Sequence, residues 1–189
     1  MINLVVEGES DREAAQAVVR HAGGEVARVI VAGGKTKLDP RIANYSRAAR
    51  QSPWVVFRDS DGECPVELRS QLMAGVEVNS RFLLRIAHSM TEAWLMADRE
   101  GFARYFGVKL GQMPADPESL PHAKRALVQV VGRGSRSSVR RDVVTAKGEV
   151  GPLYVTRINE FAADHWDVRA AAENSRSLAR ALSAVTGLR

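Results

Sequence analysis

Asp59 and Asp61 are separated by one residue, follow Trp54-Val55-Val56-Phe57-Arg58 directly and precede Gly62. The bulky apolar run reads as a buried strand. Residues i and i+2 of a strand point to one face, so the two carboxylates converge if the strand persists to Asp61. Carboxylates held together repel, and a divalent cation is the usual reason to keep both ionised. Gly62 frees the backbone to turn away. The same residues also suit an Asp-rich turn that binds nothing, so the elements around the pair carry the decision between the two.

Ile2 to Val6 is a first apolar run, and it ends at Glu7-Gly8. Ser10-Asp11-Arg12-Glu13 spells a capping box with Ser10 as N-cap, followed by Ala14, Ala15, Val18, Val19 and Ala22 at helical spacing and closed by Gly23-Gly24. A second strand is expected from about Val26 to Ala32, a loop from Lys35 to Pro40, and a helix marked by Ile42, Tyr45, Ala48 and Ala49. The Trp54 strand is third, a helix follows Pro65, and Phe82 to Ala87 is the fourth strand. Buried runs alternating with helix-length segments predict an α/β fold with a mainly parallel four-stranded sheet flanked by helices. Ligands of such sheets bind beyond the carboxyl ends of the strands. Glu7, Asp59 and Asp61 stand at such ends. With neighbouring strands about 4.8 Å apart, they can share one metal site if the first and third strands are adjacent.

Residues 89 to 106 are expected to continue as one helix, buried nearly all round, with Met90, Ala93, Trp94 and Ala97 on one stripe. Ser89-Met90-Thr91-Glu92 spells a second capping box, so Glu92 has two candidate roles, closing the cap or facing the metal cleft. Gly107 to Pro121 reads as loop and His122 to Val131 as helix. Gly132 to Ser138 reads as a mobile Gly/Ser/Arg segment, and Glu149 to Ala162 and Val168 to Leu182 as mostly helical, with Trp166 as a core anchor. Residues 1–106 therefore form the expected core and 107–189 a basic loop and helical extension packed on the same domain. Between Lys124 and Lys147 there are seven Lys or Arg against one acid, Asp142. Such a run is either solvated surface or a phosphate contact, and its local density favours phosphate, through Arg133, Arg136, Arg140, Arg141 and Lys147. No aromatic residue interleaves it, which argues against base stacking.

Composition sets the outer limits. A net charge of +5 in 189 residues suggests a polyanionic partner. The one cysteine excludes an internal disulfide and fits a reducing cytoplasm. The four histidines, at 21, 88, 122 and 165, have no zinc spacing. The first residues have neither a basic segment nor a long apolar one, so no signal peptide is expected, and no run approaches the ~20 residues of a membrane span.

With Glu7-Gly8-x-x-Asp11 after a first strand and Asp59-x-Asp61 after a third, the chain resembles the Toprim domain. That is the metal-binding α/β domain of topoisomerases, bacterial primases and OLD-family nucleases. The resemblance places the family's glutamate on Glu7 and its Asp-x-Asp pair on Asp59 and Asp61. OLD-type members add a second acid in the first motif, matched by Asp11, and a Ser-x-x-Glu after the fourth strand, matched by Ser89 and Glu92. Glu92 to Asp98 looks like small stand-alone bacterial Toprim-like proteins, and Pro121-His122-Ala123-Lys124 loosely resembles their Pro-x-Lys. The similarity covers about residues 2 to 98 and thins beyond. It implies Mg²⁺ or Mn²⁺ and phosphoryl transfer on DNA or RNA, with two ions ~3.5–4 Å apart clamping the attacking and leaving oxygens. Glu7, Asp59 and Asp61 would form one site, Asp11 and Glu92 would help form the other, and Lys124 or Arg58 would stabilise charge on phosphorus. The chain has no Walker A motif, so the ATPase joined to many OLD nucleases would be a separate partner.

Two other readings compete. One is a Toprim-like module that holds nucleic acid or a partner ATPase without cleaving. The other is a haloacid-dehalogenase-like phosphohydrolase, with Asp59 as nucleophile and Asp61 as general acid. Against the latter, two strands precede the motif, and the chain has no Gly-Asp pair to supply that family's later acid motif.

Overall fold

Four apolar runs form the strands β1 (Ile2–Val6), β2 (Val26–Val31), β3 (Trp54–Asp59) and β4 (Phe82–Ala87) of one sheet in a computed structural model that describes residues 1–134 and 137–188. The order is β2-β1-β3-β4 and every pairing is parallel. β1 and β3 are the inner strands and are buried along their whole length, which is why they read as unbroken apolar runs. The adjacency of the first and third strands is therefore met, with Val5 opposite Val56.

Helices cover both faces. Before β3 come α1 (Arg12–His21), α2 (Lys35–Leu38) and α3 (Ile42–Ala48), and α4 (Pro65–Leu72) precedes β4. After it come α5 (Thr91–Ala97), α6 (Arg99–Phe106), α7 (Ala123–Gly134), α8 (Ser137–Val143), α9 (Tyr154–Asp164), α10 (Val168–Glu173) and α11 (Arg176–Thr186). Leu4, Val6, Val55 and Phe57 pack with α1 and the helices from α5 onward. Val5, Trp54, Val56, Leu84 and Ile86 pack with α3 and α4. The helices after residue 107 thus share a core with the sheet. Phe161 of α9 meets Phe102 of α6 edge-on at 5.5 Å, and each such fully buried side chain contributes roughly 1.5–3 kcal/mol.

Several expected boundaries move, each for a local reason. Lys35 to Pro40 is not loop, because α2 begins directly after Gly33-Gly34 and runs through a 3-10 turn, Asp39–Arg41, into α3. Neither capping box forms. Ser10 lies inside a 3-10 turn, Glu9–Asp11, and the Asp11 carboxylate accepts the Gly8 amide instead, at 2.8 Å. Ser89 donates its hydroxyl to the Leu120 carbonyl, and the N-cap of α5 is Met90. The long helix expected over 89 to 106 breaks at Asp98, whose buried carboxylate accepts from Gly101 N and Asp167 N, both at 2.9 Å. Gly132 to Gly134 belong to α7, and Ser138 to α8, so these parts of the expected mobile segment are helical. The helix expected from Glu149 starts only at Tyr154.

Asp98 therefore joins α6 to the start of α10 through two charge-assisted bonds. Asp98→Ala is expected to lower stability by about 2–3 kcal/mol, the sum of a lost cap and a stranded buried donor, read as a drop in urea midpoint with an unchanged m-value. A midpoint within error of wild type would remove this role from Asp98.

Candidate functional site

The pleat of the sheet sorts the charged residues at its carboxyl edge. Along β3, Val55, Phe57 and Asp59 face the side of α1 and α5, while Trp54, Val56 and Arg58 face the side of α3 and α4. Along β1 the same alternation puts Glu7 on the side of Val5, level with Arg58. The strand does not persist to Asp61. It ends at Asp59, and Asp61 takes a left-handed backbone conformation, φ 50°. Asp61 is thereby turned to the Arg58 side, and the two carboxylates of the Asp-x-Asp motif do not share a face.

Arg58 is the centre of the first group. Its guanidinium, only 2% exposed, lies 3.5 Å from Glu7, 3.1 Å from Asp39 and 3.4 Å from Asp61. It also donates to the Asp59 carbonyl. Lys35 Nζ adds a bond of 2.8 Å to Asp61. Here the acids have cations against them. Glu7 is still incompletely matched, because its Oε2 is buried without a hydrogen-bond partner. Burial raises its carboxyl above the ordinary range, Arg58 opposes that, and Asp61 and Asp39 add to it.

The second group is acidic and mostly interior. Asp59, Asp11 and Glu92 are all buried. Asp59 Oδ1 accepts from both the amide and the hydroxyl of Thr91, each at 2.9 Å. Tyr154 donates its hydroxyl to Glu92 at 2.7 Å, and the Lys124 ammonium is 3.7 Å from the same carboxylate and 4.8 Å from the Tyr154 ring centre. Burial, with Glu92 beside it, pushes the Asp11 carboxyl up to about 7. Burial, followed by repulsion from Asp11, Glu92 and Glu7, raises Asp59 well above its usual range. Tyr154 is raised likewise, by burial and by Glu92. The backbone around the group is held in an uncommon conformation, since Ser89 is also left-handed, φ 64°. Such positions persist where surrounding bonds fix them. Ser60 does so here, its hydroxyl accepting the Ser89 amide at 2.9 Å.

All of the donors are hard oxygens and negative charge is in excess, which fits Mg²⁺ or Mn²⁺. As placed, no three Asp, Glu, His or Cys side chains among the described residues are arranged to hold a metal ion. The fit is therefore one of charge and donor type, with Asp11, Asp59 and Glu92 as three carboxylates that have only Lys124 against them among the described residues and Glu7 at their border.

Beside this group runs a basic surface. Lys124, His122 and Arg125 line a concavity of about 360 Å³ that shares Val128 and Gly148 with a second of about 540 Å³. The second is lined by Arg133, Arg140 and Arg141. Lys147 is exposed in the turn between Ala146 and Gly148, two of its lining residues. Arg136 lies outside the described residues. Tyr154, Thr91, Lys35 and Asp39 join these groups without being a fixed position of any sequence motif that carries the candidate acids. Tyr154 is 62 positions from the carboxylate it binds and carries no local signal, whereas Lys35 directly follows two glycines after a strand, where a ligand-facing residue is common in α/β folds.

No family model matches the chain, and neither a curated protein nor a solved structure does.

The raised carboxyls predict an inverse dependence of stability on pH in EDTA. Unfolded Asp11 loses its proton near 3.8, whereas folded Asp11 keeps it to about 7. Between these values the native state binds more protons, so the Asp11 contribution lowers stability as pH rises and levels off above about 7. Asp59 and Glu7, also raised, act in the same direction. Asp11→Asn is expected to gain on wild type across this window by about 4 kcal/mol, measured as the difference of two melting curves. A difference that does not vary with pH would mean that Asp11 is ionised throughout.

Proposed function

We propose that this protein is a Mg²⁺- or Mn²⁺-dependent phosphoryl-transfer enzyme acting on nucleic acid, a nuclease of OLD-type Toprim chemistry. The observation that carries this is the buried carboxylate group Asp11, Asp59 and Glu92, short of positive charge, at the carboxyl edge of a parallel sheet. The Toprim-like residues Glu7, Asp11, Asp59, Asp61, Ser89 and Glu92 support it, as does the basic surface beginning at Lys124. The single cysteine, free and exposed, supports a reducing cytoplasmic location, and no helix among the described residues is long and apolar enough to cross a membrane.

In this proposal Asp11, Asp59 and Glu92 hold the cation, with Glu7 beside them. When bound, it would offset the buried negative charge and polarise a phosphate oxygen. Thr91 keeps the Asp59 carboxylate in one orientation, and Tyr154 does the same for Glu92. Lys124, with a side chain 37% exposed, is placed to meet a phosphate from the solvent side. Arg133, Arg140 and Arg141 contact the phosphodiester backbone and set the strand along the groove. Arg58 holds Glu7 and Asp61 and is too buried to meet substrate.

One observation favours the second reading, a module that binds nucleic acid without cutting it. Arg58 and Lys35 already satisfy Asp61, which leaves fewer carboxylates for a second ion. The deciding experiment is incubation of labelled single- and double-stranded DNA and RNA with Mg²⁺, Mn²⁺ or EDTA. Metal-dependent cleavage by wild type that is absent in Asp59→Asn supports the enzyme. Retention without cleavage supports the module.

Two further outcomes are expected. Glu92→Gln keeps an acceptor for Tyr154 but loses the charge, so cleavage should fall by on the order of a hundredfold or more while the melting temperature in EDTA holds. A fully active variant would leave Glu92 a structural role only. Replacing Arg133, Arg140 and Arg141 by Gln should flatten the log–log salt dependence of duplex DNA binding by about 0.9 for each phosphate no longer neutralised, with Mn²⁺ affinity unchanged. A wild-type slope would return these arginines to solvated surface.

A further inference from the structure

Four arginines converge at the free edge of β4, away from the acidic group. Arg85 of β4, Arg69 of α4, and Arg176 and Arg180 of α11 line a cavity of about 460 Å³, with His88 at its end. None of the four side chains forms a hydrogen bond or ion pair with a described residue, whereas Arg12, Arg20, Arg50, Arg58 and Arg157 are each paired to carboxylates. The Arg85 Nε is buried with no hydrogen-bond partner. Burial lowers the affinity of that guanidinium for its proton, and Arg69 and Arg180 lower it further.

One acid lines the cavity, a single carboxylate against four guanidiniums. Glu118 accepts from Arg176 N at 3.0 Å, Ser177 N at 3.1 Å and Ser175 Oγ at 2.7 Å, and also from the Ser177 hydroxyl. Its oxygens are thus taken up by the first turn of α11, and it makes no ion pair with a described residue. Keeping four guanidiniums together against a single carboxylate leaves an excess of positive charge, and nothing in the packing requires it, since Arg69, Arg176 and Arg180 are exposed. Guanidinium forks match phosphate oxygens in pairs. Pro65, Val66 and Ile86 add an apolar part to the lining, and Val66 is 71% exposed. A lining that is partly cationic and partly apolar, at a volume usual for small-molecule sites, fits a compact molecule with a phosphate group and a flat or aliphatic body. The cavity shares no lining residue with the groove at Lys124 and Arg133.

We propose that this cavity is a second ligand site, which binds a phosphate-bearing small molecule of nucleotide size through Arg69, Arg85, Arg176 and Arg180, independently of the acidic group.

The test is calorimetric titration of the full chain with ADP and with inorganic pyrophosphate, in EDTA so that no metal recruits phosphate to the acids. Wild type should bind both, more weakly as salt rises, with ADP the tighter of the two if the apolar part of the lining is used. Arg85→Gln and the doubly exposed change Arg69→Gln/Arg180→Gln should each weaken binding by at least about tenfold, as for removal of a charge-assisted hydrogen bond. The exposed pair keeps the test valid should Arg85→Gln fail to fold. Arg133→Gln/Arg140→Gln should bind as wild type does. Equal affinity in the Arg69/Arg180 variant, equal loss in the Arg133/Arg140 variant, or no binding by wild type would each overturn the proposal. So would a single-stranded oligonucleotide that binds through Arg69 and Arg180 when ADP and pyrophosphate do not. Because no metal is present, failure here leaves the nuclease proposal untouched, and loss of cleavage in Asp59→Asn leaves this one untouched.

Discussion

Mutual repulsion among buried carboxylates is the constraint on which the rest of this structure turns. Asp59 sits at the end of an interior strand, where desolvation alone disfavours its charge, and Asp11 and Glu92 are buried beside it. Left to itself such a group would spread towards water. It is held by bonds from three separate elements: the Gly8 amide on Asp11, Thr91 on Asp59, and Tyr154 on Glu92. Tyr154 belongs to the core that joins β1 and β3 to α1, α5 and α9, and Thr91 opens α5, whose Ala93 to Ala97 lie in the same core. The hydrophobic packing thus supplies the stability that the site itself lacks, which is the expected division of labour where strained or repelling groups are kept for chemistry.

Alternation along one strand explains how a buried arginine and a buried aspartate can be neighbours in sequence without neutralising each other. Arg58 and Asp59 are consecutive and point to opposite faces. The cation is therefore committed to Glu7, Asp39 and Asp61, and Asp59 is left to the other face with Asp11 and Glu92. A one-residue slip in the register of β3 would exchange the two faces and reverse the pairing. The left-handed turn at Asp61 completes the separation by carrying the second aspartate over to the arginine.

What the sequence made legible follows from the same physics. The inner strands β1 and β3 were readable because buried parallel strands are apolar on both faces, and the parallel arrangement because strand-length runs alternate with helix-length segments. The acids were readable because they lie at strand ends. Their grouping was not, since it depends on where β3 stops, and Asp-Ser-Asp-Gly is compatible with one more residue of strand or one fewer. The two Ser-x-x-Glu patterns misled for a related reason. A capping box is a local preference worth about 1 kcal/mol, and at Ser89 the Leu120 carbonyl and the Ser60 hydroxyl offer competing bonds from other parts of the chain. The break at Asp98 has no glycine or proline to announce it. An aspartate there competes with the helix by capping the next one, and only the fold makes that competition succeed.

The chain beyond residue 107 is the least legible region and yet it completes the site. Lys124 and Tyr154 both come from beyond residue 107, and they provide the ammonium and the hydroxyl nearest Glu92. Asn159 of the same helix as Tyr154 accepts from the Glu13 amide and donates to the Glu9 carbonyl, so α9 also braces the turn that carries Asp11. A chain cut after α6 would expose the face of Phe102 and Phe106 that Phe161 covers. It would also leave Glu92 without its partners. The core expected to residue 106 and the basic, helical extension expected to pack on the same domain contribute to one hydrophobic core, and the carboxylates supplied before residue 107 are tolerable only inside the packing and hydrogen bonds supplied after it.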